Sequence, residues 1–517
     1  MHFLKKEKVN GVNKLMFKKV LVANRGEIAV RIIQACQELG IKTVAIYSDV
    51  DKKAPHVQLA DESICLGDPT PIQSYLNIPK IIKVAREVGV EAIHPGYGFL
   101  AENPDFAHSC TDADIKFIGP PFKVISLMGD KIEAKKTMEK AGIPVIPGYH
   151  GLKQDNKSLI EEGKKIGFPL LVKAAAGGGG KGMRIVHSED RLNEAIEGAK
   201  RESKSAFGND TVFLEKYLDK PRHIEFQILA DEHGNIIHLF ERECSIQRRH
   251  QKIIEETPSP VMTPQLRKKM GDAAVAATKA AGYTNAGTIE FMIDKNLNFY
   301  FMEMNTRLQV EHPITEMTTG IDIAKWQLKI ASGEKLTIKQ RDLTQRGHAI
   351  ECRIYAENPS KGFLPSIGTL EKVEVPTGPN IRDDSGIYTG MKITPYYDPM
   401  LAKIITYAEN RDENINKMIW VLSRYVIMGV ITNISFLKKV LEHEEFRKGN
   451  ITTHFIDNYF KDRTGTKDRL PVDTIIALAV YDSMHKKSQE IVRYKEVDPH
   501  NPWKHVGRWR VSGQEEK

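Results

Sequence analysis

Short apolar runs alternate with amphipathic stretches along most of the chain, the texture of an α/β protein. Lys19-Val20-Leu21-Val22-Ala23 reads as a buried strand that runs into Asn24-Arg25-Gly26-Glu27. A helical pattern follows through Leu39 and is stopped by Gly40. Thr43–Tyr47, Glu91–His94 and Lys116–Ile118 predict further strands, so residues 17–130 read as an open, mostly parallel sheet. From about residue 131 the texture changes. A helix over Lys131–Lys140 leads to Gly142-Ile143-Pro144, then strands near Pro169–Ala174 and Met183–Val186, a helix near Asp190–Ser203, and strands from Val212 to Phe240. Residues 286–304 read as a β-hairpin. A third region, about 347–460, opens with the strand Ala349–Ile354, passes through Gly- and Pro-rich turns and closes with helices. There is no internal repeat and no low-complexity segment.

At 517 residues the chain exceeds one ordinary core, and two to four domains are expected. A hydrophobic share of 41% and a charged share of 27% suit a globular enzyme. No apolar run approaches ~18 residues, so no membrane span is expected. The first residues carry lysines but no apolar signal core, which argues against secretion. The net charge of +8 lies wholly at the ends: six lysines against one acid in residues 1–19, and twelve basic against nine acidic residues in 461–517. Basic ends on a neutral body suggest solvated tails or docking segments and no nucleic-acid groove. The five cysteines (Cys36, Cys65, Cys110, Cys244, Cys352) are scattered, odd in number and never spaced as CxxC, which argues against a disulfide framework and a structural zinc site and points to a reducing, cytoplasmic setting.

Candidate chemistry starts at the hairpin. The midpoint of Glu290 and Glu303 falls inside the turn-rich Asp294–Asn298, so the two carboxylates face each other, and Asn305, two residues on, shares their face. Opposed carboxylates destabilise a strand pair unless something positive sits between them. An oxygen-only trio suits a hard divalent cation, and Mg²⁺ held this way usually brings nucleotide phosphates. A solvated hairpin whose carboxylates splay apart is the equal alternative on geometry alone.

Three other stretches carry signals. Ala176-Gly177-Gly178-Gly179-Gly180-Lys181-Gly182 fails both the Walker pattern and the GxGxxG context, but a glycine run between strands can fold over phosphates with its amides as an anion nest. A flexible hairpin tip is the plainer reading. Lys173, just before it, could place a cation beside phosphate oxygens. Glu243–Lys252 is cationic and amide-rich, follows a predicted strand and is interrupted by Ile246, which fits a polar pocket wall better than a basic helix. Asn305-Thr306-Arg307-Leu308-Gln309-Val310-Glu311-His312-Pro313 sets a guanidinium and a carboxylate directly after the trio, where Arg suits a planar carbonate and Glu suits proton abstraction.

Taken together and in this order, these segments resemble biotin carboxylase, of the ATP-grasp superfamily, from about Met16 to residue 460. The resemblance also rests on Ala23–Ala29, His94–Leu100, Met128–Lys131, Glu215–Leu218, Arg248–Lys252, Glu303–Arg307 and Tyr396-Tyr397-Asp398. It implies an α/β fold with a Rossmann-like N-terminal open parallel sheet (16–130), a central ATP-grasp domain (131–335) and an α+β C-terminal domain (347–460), between an extension (1–15) and a tail (461–517). It also implies roles. Lys131 and Lys173 would contact ATP phosphates under a flap that includes Gly178, Gly179 and Gly180. Glu215, Tyr217 and Leu218 would border the adenine, and His223, Gln247 and His250 the ribose and its neighbours. Glu290, Glu303 and Asn305 would bind Mg²⁺ or Mn²⁺, two ions in all. Lys252, Arg307, Gln309 and Val310 would hold bicarbonate, and Glu311 would remove its proton so that carboxyphosphate forms. Arg353, assisted by Arg307, would stabilise the biotin enolate, with Tyr97 bordering the biotin site.

Lys181 stands where many relatives carry Arg, keeping the charge but losing the fork. Met16-Phe17-Lys18 looks like the family's usual start, and Pro502–Trp509 like a docking segment of longer members. Gly390-Met391-Lys392-Ile393 echoes a biotinylation motif but falls inside the third region and is read as coincidence. Biotin is therefore expected on a separate carrier protein, with a separate carboxyltransferase and a homodimeric state. The competing readings are another ATP-grasp ligase of the carbamoyl-phosphate or purine-pathway type, and an inactive scaffold. A nicotinamide dehydrogenase is disfavoured because no GxGxxG follows Ala23.

Overall fold

The computed structural model describes residues 16–149, 151, 153–174, 183–461, 476–477 and 479–481. The expected extension, the glycine flap with Gly178, Gly179 and Gly180, and nearly all of the tail lie outside the described residues.

Five strands near the N-terminus, β1 (Lys19–Val22), β2 (Lys42–Ser48), β3 (Glu62–Gly67), β4 (Ala92–His94) and β5 (Lys116–Phe117), form a sheet in the order β3-β2-β1-β4-β5. Every pairing in it is parallel. Sequence reading had missed β3, whose Glu-Ser-Ile-Cys-Leu-Gly carries little apolar signal. The run of apolar residues in β1 follows from burial on both faces. Val20 and Val22 pack with Ile28, Ile32, Ile323 and Leu328, whereas Leu21 packs with Ile81, Ala85 and Phe106. Strand order reverses between β1 and β4, and the crevice beyond their carboxyl ends is where such sheets present ligand-facing residues. There Asn24 Nδ2 donates to the carbonyls of Pro95 (2.8 Å) and Tyr97 (2.7 Å), closing the two loops on each other. Gly96 (φ +65°) is required at that contact, since a Cβ would stand 2.8 Å from Asn24 Nδ2.

A four-stranded antiparallel sheet in the order β6-β9-β7-β8 follows, from β6 (Gly148–Tyr149), β7 (Leu170–Ala174), β8 (Arg184–Val186) and β9 (Val212–Lys216). The largest sheet has eight strands. β10 (Arg222–Ala230), β11 (Ile236–Arg248), β12 (Gln251–Thr257), β13 (Asn285–Ile293), β14 (Phe299–Asn305) and β15 (His348–Tyr355) join the strands Ile381–Ser385 and Met400–Ala408 in the order β14-β13-β10-β11-β12-β15, then Met400–Ala408, then Ile381–Ser385. β12 pairs with β15, so one sheet runs from the central to the C-terminal region. One face of β10 and β13 (Ile224, Phe226, Ile228, Ile289, Phe291) buries against Met270, Ala274 and Ala277 of the helix Pro264–Ala281. The other face carries the charged positions.

Candidate active site

Alternation along β10 puts His223, Glu225 and Gln227 on one face between the core residues Ile224, Phe226 and Ile228. Register then carries charge across the sheet: Glu303 opposes Glu290, Glu290 opposes Glu225, and Glu225 opposes Arg242. The hairpin expectation therefore holds at the carboxylates, and Asn305 pairs with Thr288 on their face. Towards the tip the register slips by one, because Phe291 opposes Phe301 and Met302 is the extra residue of a bulge.

Glu290 is the best-served acid of the site. Its Oε1 accepts from Lys252 Nζ (2.8 Å), Asn305 Nδ2 (2.7 Å) and Gln309 Nε2 (3.2 Å), and its Oε2 lies 2.7 Å from His223 Nε2. Burial alone would raise its carboxyl, but Lys252 and His223 outweigh burial and hold it well below the usual carboxylate range. Glu303 takes none of these hydrogen bonds, and burial, then the charge of Glu290, pushes its carboxyl up. Two facing acids, one saturated and one still short of positive charge, with an amide oxygen two residues on, fit a hard divalent cation.

Lys252 on β12 bridges three carboxylates: Glu225 at 2.5 Å, Glu290 at 2.8 Å and Glu311 at 2.6 Å. Glu311 immediately precedes the helix His312–Thr319 and is fully buried. Its second oxygen accepts from Arg353 Nη2 at 2.8 Å, and Arg353 Nε donates to Glu255 at 2.6 Å. Burial opposes the ionised Glu311, but Lys252, Arg353 and Arg242 prevail and hold its carboxyl well below 4.5. Arg242 in turn donates to Glu225 (2.5 Å), Gln227 (2.8 Å), Thr315 (3.0 Å) and Thr288 (3.2 Å).

Other expected residues take distinct places. Gln247 Nε2 donates to His223 Nδ1 at 2.7 Å, orienting that ring. Arg249 and His250 form the tight β11–β12 turn at φ 49° and 66°, a left-handed pair built without glycine, and His250 is exposed. Lys173 on β7 pairs with Glu215 on β9, whose other oxygen meets Lys135, with Tyr217 and Leu218 just beyond that strand. Exposed Lys131 opens the helix Lys131–Lys140 and contributes its charge at Glu303. Tyr97, past β4, gives its hydroxyl to Glu27.

Arg307 is the exception. The resemblance gives it a part assisting Arg353; in the structure its Nε donates to Glu102 Oε2 (2.8 Å), its Nη1 to Gln309 Oε1 (2.9 Å) and its Nη2 to Asn305 Oδ1 (3.2 Å). A carboxylate from the N-terminal region holds this guanidinium, and none of these bonds ties it to Arg353 or Glu311. Reading the sequence also missed Glu225, Arg242, Glu255 and Glu102. The polar–apolar alternation of β10 could have flagged Glu225; nothing local marks Glu102, which lies 205 residues from Arg307.

Three family models match the chain: the N-terminal domain of biotin carboxylase over residues 16–125, the ATP-binding domain of the carbamoyl-phosphate synthase L chain over 130–339, and the C-terminal domain of biotin carboxylase over 351–458. The chain is 53% identical to biotin carboxylase 1 of Bacillus subtilis, covering 86% of this chain and 99% of that one. It is 52% identical to the biotin carboxylase of a Nostoc species, over 86% of its own length and the whole of the relative's. Among solved structures, the biotin carboxylase domain dimer of Hydrogenobacter thermophilus 2-oxoglutarate carboxylase, in complex with MgADP, ADP and bicarbonate, superposes with a TM-score of 0.83 at 50% identity, over 88% of this chain and all of that one. Among the described residues no helix is long and apolar enough to cross a membrane. Matched on all three parts and at more than half identity, the chain belongs to the biotin carboxylase family.

Proposed function

We propose that this chain catalyses the ATP- and bicarbonate-dependent carboxylation of biotin, presented on a separate carrier protein, as the first half-reaction of an acyl-CoA or pyruvate carboxylase. The observation that carries the reading is Glu311, an ionised carboxylate sealed between Lys252 (2.6 Å) and Arg353 (2.8 Å). One of the cations that depress its basicity, Lys252, is also a group a bicarbonate anion would recruit. Bound bicarbonate drawing Lys252, Arg307, Gln309 and the Val310 backbone to itself relieves Glu311 of part of that charge and restores it as a base. The deprotonated bicarbonate attacks the γ-phosphorus of ATP, and carboxyphosphate and ADP result.

Glu290, Glu303 and Asn305 would hold Mg²⁺ or Mn²⁺, which supplies charge neutralisation at the phosphates. Lys131 and Lys173 reach the phosphates once Lys173 leaves Glu215, and Gly178, Gly179 and Gly180, which lie outside the described residues, are assigned to the same phosphates. Glu215, Tyr217 and Leu218 border the base, with His223, Gln247 and His250 towards the ribose. When carboxyphosphate releases CO2, its phosphate takes the ureido proton, and Arg353 faces the enolate charge beside Tyr97. We assign these roles to working parts at 16–130, 131–335 and 347–460, in a cytoplasmic homodimer that passes the carboxyl group to a separate carboxyltransferase.

The test is ATP cleavage by the purified chain with Mg²⁺ and bicarbonate, with and without free biotin. Bicarbonate-dependent cleavage with carboxybiotin formation is expected. Bicarbonate-dependent cleavage that biotin neither stimulates nor consumes would assign the chain to a different ATP-grasp reaction.

A further inference from the structure

Lys403 is fully buried in the strand Met400–Ala408, whose neighbouring positions Ala402, Ile404 and Ile405 are apolar. An ammonium there costs several kcal/mol of desolvation unless its partners are well placed. Its Nζ donates to the Val310 carbonyl at 2.8 Å and lies 3.1 Å from Glu27 Oε1 and 3.8 Å from Asp384 Oδ2. Glu27, in the first turn of the helix Gly26–Glu38, also receives the Tyr97 hydroxyl. Lys403 stands opposite Arg353 in the strand register. One ammonium therefore ties the backbone that leads into Glu311 to the side chain that orients Tyr97, joining three stretches distant in sequence. A trans peptide sets its N–H opposite its carbonyl, so anchoring the Val310 oxygen also fixes the direction of the Glu311 N–H.

We infer that Lys403 is a positioning residue that couples the bicarbonate loop to the biotin wall, acting through the Val310 carbonyl on one side and through Glu27 and Tyr97 on the other. This rests on the proposed placement of bicarbonate at Arg307–Val310 and of biotin at Tyr97. Neither Lys403 nor Glu27 touches a reacting atom in this scheme, and the effect is on geometry.

The test measures KM for ATP, bicarbonate and free biotin separately in the full chain carrying Lys403→Met, Lys403→Arg or Glu27→Gln. Lys403→Met should raise the KM for both bicarbonate and biotin at least tenfold while the KM for ATP stays within twofold, and Lys403→Arg should recover part of each loss. Glu27→Gln leaves Lys403 on Val310 and should raise the KM for biotin at least fivefold with bicarbonate within twofold. An ATP KM that rises in step with the others marks general loosening and overturns the inference, as does a folded Lys403→Met protein with an unchanged bicarbonate KM. Should Lys403→Met fail to fold, Glu27→Gln decides: an unchanged biotin KM, or equal rises for all three substrates, overturns it. Wild-type protein without bicarbonate-dependent ATP cleavage would remove the functional reading itself, whereas active wild type with unaffected variants removes only the coupling.

Discussion

The five-stranded parallel sheet buries apolar side chains on both faces, whereas the eight-stranded sheet buries them on one face and ionised groups on the other. The two faces follow different physics. Apolar burial stabilises by roughly 25 cal/mol per Å² and tolerates approximate shapes. A buried ion pair returns little net stability, because desolvation cancels most of its attraction, and removing one partner strands the other. The parallel sheet is thus built to hold the fold, and the charged face to hold a geometry. Substitutions in the first should cost stability, and substitutions in the second should cost activity.

Glu303→Gln should break the comparison first if it is wrong. It removes one of two opposed acids, so ATP turnover should fall on the order of a hundredfold or more while the melting temperature holds or rises. Normal turnover at any Mg²⁺ concentration would dismiss the hairpin as the metal site. Arg353→Ala sharpens the contrast within the charged face: biotin carboxylation should fall at least tenfold further than bicarbonate-dependent ATP cleavage, as a group facing the enolate requires. Equal losses would give it a role only in holding Glu311.

On the other side, Leu21→Ala empties a fully buried site and should destabilise the chain by about 3 kcal/mol, with KM values unchanged in the folded fraction. A selective rise in one KM would show that the parallel sheet is also part of the working geometry. Acid titration separates the regions by pH window. Burial pushes the His94 ring down to about 3 and the His56 ring to about 4, each from 6.5, so the unfolded chain binds protons that the folded one refuses. Their contribution is complete above pH 6.5 and drains away as pH falls towards 4 and 3. Burial would raise the Glu256 carboxyl, but Arg411 and His348 hold it down to about 2, so its contribution of about 3 kcal/mol is present above pH 4.5 and lost towards pH 2. Hydrogen exchange during acidification should open the β1–β4 region before the β12–β15 pairing. Opening in the reverse order would contradict the assignment.

Much of the charged face was legible because its residues sit close in sequence or on a simple period. Glu290 and Glu303 are symmetric about a turn, and Asn305 to Glu311 is one continuous stretch. Period-2 arithmetic could not show the Met302 bulge, since the slip arises from packing at the hairpin tip. Nor could it show the β12–β15 pairing, whose partners are separated by about ninety residues and which merges the central and C-terminal regions into one sheet. The partner of Arg307 could not be read from the sequence, because Glu102 lies 205 residues away in another region. Lys403 interrupts an otherwise mostly apolar strand, and its partners Val310 and Glu27, both distant in sequence, account for it.

The Arg307–Glu102 pair has a consequence for how distant stretches are fastened together. The carboxylate lies 205 residues before the guanidinium, so one ion pair pins the stretch after β14 to the loop after β4. On the reading proposed above, an anion arriving at Arg307 would meet a guanidinium whose Nε is already taken, and the N-terminal loop would register its arrival.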